Sequence, residues 1–281
     1  GVITEGDKLV PAGAGPYTSP LGGWKLTATA GGAFVSPWTS DESIFSIRND
    51  ATDNSGVNGS LPNMLGNPLA APAGVGGRGL VRISPIIWNS SFWLCDDLRR
   101  TSLTSSDNGA GRYTTKYKDV TTQADATPQI RYAEVLLMLA EAESRNSASA
   151  SQRSLDLLNA VRNRSLASVA TQAFALAGFA TGKDLTQAIL NERRVEFLAE
   201  GKRWGDISRL ALDADFAPIA GGGIPSKVGS GGATAIMFNC AAPPVFARSV
   251  PAIAYSSNRF IWPIPIVEIQ QNPNFEQNPG Y

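Results

Sequence analysis

The sequence predicts a mainly helical protein with extensive irregular loops and a few short strands. Three observations carry that reading. No proline occurs between Pro128 and Pro218, although the 281-residue chain holds 18. Inside that window lie three blocks, Ile130–Arg145, Ser151–Ser165 and Lys183–Leu210, rich in Ala, Leu, Glu and Arg, which lose little side-chain entropy in a helix. On either side, most of the 28 glycines and the remaining prolines punctuate the chain too densely for long regular elements.

Residues 1–39 carry Pro11, Gly13, Gly15, Pro16, Pro20, Gly22 and Gly23, so irregular loop is expected, anchored by Trp24, Phe34 and Trp38. Glu42–Arg48 (ESIFSIR) alternates weakly and predicts a short buried strand. Asn49–Gly59 is polar. Its Asp50, Asp53 and Asn54 do not fit the spacing of a twelve-residue calcium loop, and turn chemistry explains them. Gly74, Gly76 and Gly79 match G-x-G-x-x-G in letters only, because prolines surround them and no helix can follow. Gly178–Asp184 mimics a phosphate loop but is one residue short and has Asp where a hydroxyl should hold magnesium. Tyr113–Asp119 predicts a short strand that pairs locally. Of the helices, the first has Thr127 as its N-cap with Pro128 at the first position. It is apolar on two faces and should be covered on both. The third opens near Asp184 and Gln187, which resemble a capping box, and breaks at Gly201 in a left-handed residue before restarting at Lys202. After Ala217 the chain turns loop-like again, with an extended buried segment at Phe260–Ile264 and one helical turn at Pro265–Gln270.

Composition excludes several function classes. Twenty-four basic residues balance 24 acidic ones, which leaves no electrostatic footprint for nucleic acid. The absence of histidine removes every Ser-His-Asp or Cys-His constellation and the usual partner of a helical carboxylate metal site, so no metal is expected. Cys95 and Cys240 lie far apart and read as two buried free thiols rather than a bridge.

The charges of the third helix are the sharper signal. Glu192, Glu196 and Glu200 recur every four residues, hence on one stripe. Arg193 and Arg203 flank them, and Arg162 comes from the preceding helix. Such a stripe can be an acid pair for glycoside hydrolysis, as can Asp96/Asp97, since two carboxylates suffice for that chemistry. Arginine neighbours lower a carboxylate pKa and spoil a general acid. A partly buried ion-pair network that fixes helix packing is therefore the expected role.

The order RYAEVLLMLAEAE, LLNAVRNRS, ILNERRVEFLAEGKRWGDISRL resembles the SusD/RagB family of outer-membrane nutrient-binding proteins. CDDLRRTS with TTKYKD upstream, SDESIFSIRND before it, and the terminal RFIWPIPIVEIQQNPNFEQNPGY resemble family blocks in the same order. The resemblance implies a SusD-like fold whose helical hairpins pair like tetratricopeptide repeats. It implies a surface-exposed lipoprotein of the outer membrane that captures an oligosaccharide and delivers it to a TonB-dependent, SusC-like transporter without catalysis and without a cofactor. Peptide cargo also occurs in the family. Family members begin with a lipid-anchor cysteine and several helical hairpins. This chain shows neither and looks like the C-terminal half of such a protein. The expected division is a loop-rich region, 1–128, and a helical region with a proline-rich tail, 129–281.

Sugar binding needs aromatic faces for pyranose rings and amides for hydroxyls. Trp204 and Trp262 fall inside the family blocks and are assigned to the core. That leaves Trp24, Trp38, Trp88 and Trp93, in loop-like sequence before the helices, with Asn89 as polar companion, as candidate ligand contacts. A carboxylate-dependent glycoside hydrolase and a helical scaffold without small ligand are the alternatives.

Overall fold

The computed structural model describes residues 1–35, 40–69, 76–107, 109 and 111–281. Among them the helices are α1 (Val2–Leu9), α2 (Leu61–Leu65), α3 (Pro85–Trp88), α4 (Leu98–Ser102), α5 (Tyr132–Arg145), α6 (Gln152–Arg162), α7 (Val169–Gln172), α8 (Gly182–Glu196), α9 (Lys202–Arg209) and α10 (Ile266–Gln271). The strands form three antiparallel pairs: β1 (Ser43–Ile47) with β4 (Thr127–Arg131), β2 (Thr104–Ser106) with β3 (Arg112–Thr114), and β5 (Gly223–Ile224) with β6 (Ile253–Ala254). The chain divides into two compact units, 1–200 with 233–246, and 201–232 with 247–281. This differs from the break at 128/129 suggested by composition, because the loop-rich segment and the long helices share one core.

That core is centred on α5, which lies against α6, α8 and α1. Leu136, Leu137, Leu139, Leu155, Leu157, Leu158, Leu185 and Ile189 are sealed in it. Each contributes about 1.5–3 kcal/mol relative to exposure. The two apolar faces of α5 are both covered, as the sequence predicts, with α1 forming part of the cover. Here residues 1–39 hold a helix where loop is expected.

Two caps differ from expectation. Thr127 and Pro128 lie in β4, and α5 begins only at Tyr132. The residue before proline favours extended backbone, and pairing with β1 keeps the chain extended through Arg131. Proline is tolerated there because the sheet has only two strands. At α8 the capping box is Thr181 with Asp184, not Asp184 with Gln187: Thr181 Oγ1 accepts from Asp184 N (3.2 Å) and Asp184 accepts from Thr181 N (2.9 Å). Gly201 adopts φ 78°, the left-handed break predicted between α8 and α9. Strand β1 exists but is not buried: a two-stranded ribbon covers one face, and Phe45 and Ile47 are 56% and 51% exposed.

In the second unit, Trp204 on α9 packs on Phe260 and Trp262, with centroids 5.9 Å apart in both pairs. The core assignment for these tryptophans is corrected: they are 37% and 71% exposed, and Phe260–Ile264 is a surface segment. Among the described residues no helix is long and apolar enough to cross a membrane.

Candidate functional site

The glutamate stripe is closed off from solvent by ten charged groups of the first unit. Asp97 caps α4 by accepting from Arg99 N (2.9 Å) and also holds the Arg99 guanidinium (2.7 Å). Arg99 then reaches Glu192 (2.6 Å) and Glu196 (3.0 Å) on α8. Arg162, at the end of α6, adds a second cation to Glu192 (3.4 Å). Arg164, two residues later, bridges Glu196 and Glu42 at 2.6 Å each. Arg131 joins Glu42, Glu196 (3.0 Å) and Glu200 (2.8 Å), and Lys116 donates to Glu200 (2.6 Å) and to the Glu196 carbonyl (2.7 Å). Five carboxylates thus meet five cations, all buried, and the formal charges cancel.

Burial alone would push Glu196 and Glu42 up. For Glu196, Arg164, Arg131 and Arg99 win and hold the carboxyl well below the usual range. For Glu42, Arg164 and Arg131 do the same. The same pairing holds the Arg99, Arg131 and Arg164 guanidinium groups above their ordinary value despite the burial that opposes it. A general acid must carry a proton near working pH, and Glu196 carries none. Asp96 and Asp97 also fail to form a working pair, since Asp97 is buried against Arg99 while exposed Asp96 accepts from Gln172 (2.6 Å).

Of the network residues read from sequence, Glu192, Glu196 and Arg162 meet here. Arg193 lies 3.9 Å from Glu134 and over the ring of Phe197. Arg203 lies in the second unit near Asp206. Missed from sequence were Glu42, Asp97, Arg99, Lys116, Arg131 and Arg164 as members.

The aromatic candidates separate. Trp24 is half-buried and packs on the main core, with its carbonyl accepting from Ser19 N (2.7 Å). Trp38 lies outside the described residues. Trp93 is 2% exposed and sealed with Ile83, Ile87 and Val195, so no face of it is open to a sugar ring. Trp88, half-buried at the end of α3, meets Trp93 edge-on (5.4 Å) and Phe238 edge-on (6.0 Å). Arg100 stands over both indoles, 4.6 Å from Trp88 and 4.2 Å from Trp93, and donates to the carbonyls of Trp88, Trp93 and Leu94 at 2.7 Å each. Burial pushes its pKa down to about 10, with Asp97 opposing. Arg112 lies 5.7 Å from the Trp88 ring and 4.9 Å from that of Phe238. Asn89 Nδ2 donates to Met237 O (2.5 Å). Asn89 Oδ1, Trp93 Nε1 and Arg100 Nη1 are buried with no hydrogen-bond partner among the described residues. Cys95 and Cys240 form a disulfide beside this cluster, with Cα atoms 5.6 Å apart. The expectation of two free thiols is overturned, because folding brings together cysteines 145 positions apart.

The family model of the SusD family matches residues 100–281. No curated protein matches the chain. Among solved structures, a SusD superfamily protein from Bacteroides fragilis superposes with TM-score 0.64 at 25% identity, over 90% of this chain and 49% of its own. Surface glycan-binding protein A from Bacteroides uniformis gives TM-score 0.61 at 20% identity, over 98% and 55%. A laminarin-binding SusD-like protein gives 0.63 at 21%, over 99% and 58%. The chain therefore spans about half the length of these structures. With the helical core built as that fold requires and the family model covering well over half the sequence, the chain belongs to the SusD family.

Proposed function

We propose that this chain is part of a non-catalytic, surface-exposed outer-membrane lipoprotein. In this reading it binds a neutral oligosaccharide and passes it to a SusC-like TonB-dependent transporter. The observation that carries the reading is a SusD family chain whose best-placed carboxylates are all consumed by arginine and lysine. Such a stripe can hold a frame rigid, and at its centre Arg164, Arg131 and Arg99 hold the Glu196 carboxyl below the range a general acid needs. Similar structures support the cargo class, since they include a surface glycan-binding protein and a laminarin-binding SusD-like protein. Trp88 and Asn89, with Trp24 apart from them, are the proposed ligand contacts. Trp93 supports Trp88 from beneath.

The test is a calorimetric screen of the chain, with and without a dithiol reductant, against laminarihexaose, other neutral oligosaccharides and a peptide pool. Heat from one neutral glycan class, abolished in Trp88→Ala, is expected. Binding to peptides alone would replace the cargo class. Glycan binding untouched by Trp88→Ala and Trp24→Ala would remove these contacts from the site.

A further inference from the structure

Residues 233–246 leave the sequence of the second unit, join the first, and return. None of them is fully buried, and their regular structure is a single turn at Ala235–Met237. Their described backbone hydrogen bonds are local, Met237 N to Thr234 O and Phe238 N to Ala235 O. Among the described residues, the polar, aromatic and covalent contacts between this strap and the rest of its unit lie around Trp88. Asn89 Nδ2 donates to Met237 O, Phe238 packs T-shaped against Trp88, Arg112 stands over Phe238, and Cys240 is bonded to Cys95. Three of these four are individually weak. The disulfide is the one covalent member, and Cys95 is exposed.

The strap also uses up binding capacity. It occupies the amide donor of Asn89 and packs Phe238 against Trp88, the polar and aromatic groups that the proposed function assigns to ligand. We propose that the Cys95–Cys240 disulfide is a clasp. Closed, it keeps residues 233–246 over Trp88 and Asn89; opened by a dithiol reductant, it frees the strap and uncovers both. The exchange balances. A thiolate of the dithiol attacks the sulfur of Cys95, the S–S bond breaks, and Cys240 leaves as thiolate and takes a proton. The second thiol of the reductant then displaces Cys95. Two electrons pass from dithiol to cystine, and the reductant leaves as its cyclic disulfide. As regulation of a ligand site, the clasp rests on the function proposed above. As a structural device it does not.

The experiment is hydrogen–deuterium exchange by mass spectrometry on the full chain, oxidised and after treatment with dithiothreitol, with Cys95→Ser as a chemical-free version of the open state. Peptides covering 233–246 and Trp88–Asn89 should exchange at least about tenfold faster in both open forms, while α5, α6 and α8 keep their protection. Acrylamide quenching of indole fluorescence should rise on reduction, and that rise should vanish in Trp88→Phe. Unchanged exchange in 233–246 would overturn the clasp. So would a loss of protection spread evenly over α5, α6 and α8, since the bridge would then be a staple of the whole core. No arm uses a glycan, so a failed glycan screen leaves this outcome intact, and the reverse also holds.

Discussion

Replacing Glu196 with Gln tests the charge cluster at its most connected member. Glu196 is 1% exposed and receives Arg99 (3.0 Å), Arg164 (2.6 Å) and Arg131 (3.0 Å). The amide keeps the volume and one acceptor but removes the charge, leaving five buried cations against four carboxylates. Breaking a buried pair by neutralising one partner costs about 3–5 kcal/mol. That is a large part of the roughly 5–15 kcal/mol by which a folded domain exceeds its unfolded state. For a unit of this size each kcal/mol moves the melting temperature by roughly 2–4 °C, so a fall of about 6–20 °C is expected. Circular dichroism during thermal and urea unfolding reads it, and the exposed Lys8–Glu5 pair, neutralised by Glu5→Gln, serves as the control that leaves the midpoint in place. A Glu196→Gln protein within about 1 kcal/mol of wild type would refute the claim that this carboxylate is a buried structural anion.

Acid should act through the same residues. Glu196 and Glu42 have folded pKa values below their ordinary 4.5, so they contribute stability above that pH and lose it progressively as pH falls below it. A urea midpoint that falls steadily from pH 5 to pH 3 in wild type, and less steeply in Glu196→Gln, checks this. Trp93→Ala should cost about 3–5 kcal/mol in unfolding free energy through the cavity it leaves. Trp88→Ala should act mainly on glycan heat. In the second unit, a Cβ at Gly222 would lie 2.0 Å from Ala211 O at φ 79°. Gly222→Ala should therefore raise exchange around β5 and β6 while leaving α5 protected. Reduction of Cys95–Cys240 should cost less than the about 5 kcal/mol that a rigid 145-residue crosslink removes from the unfolded chain, because the freed strap regains motion in the folded state as well. Chemical denaturation with and without reductant measures that difference.

What the sequence reveals is what local chemistry determines. The three helices, the break at Gly201 and the strand at Ser43–Ile47 follow from propensity, glycine and alternation within a few residues. The glutamate stripe is visible because four-residue spacing is a helix property. Its partners are not visible, since Glu42, Arg99, Lys116 and Arg131 reach it from elements distant in sequence. The same limit hides the disulfide and the packing of Phe238 on Trp88, and α1 is hidden by the loop-like composition around it. Trp262 and Trp93 exchange their expected places because indole burial depends on tertiary neighbours. The family blocks revealed the fold more fully than any of these local rules.

The most direct measurement takes the oligosaccharide that gives heat in the calorimetric screen, incubates it with stoichiometric chain for a day, and analyses the recovered sugar by mass spectrometry. Bound glycan should return at its original length, from wild type and Glu192→Gln alike. Shortened chains with new reducing ends, absent with Glu192→Gln or Glu196→Gln, would contradict it.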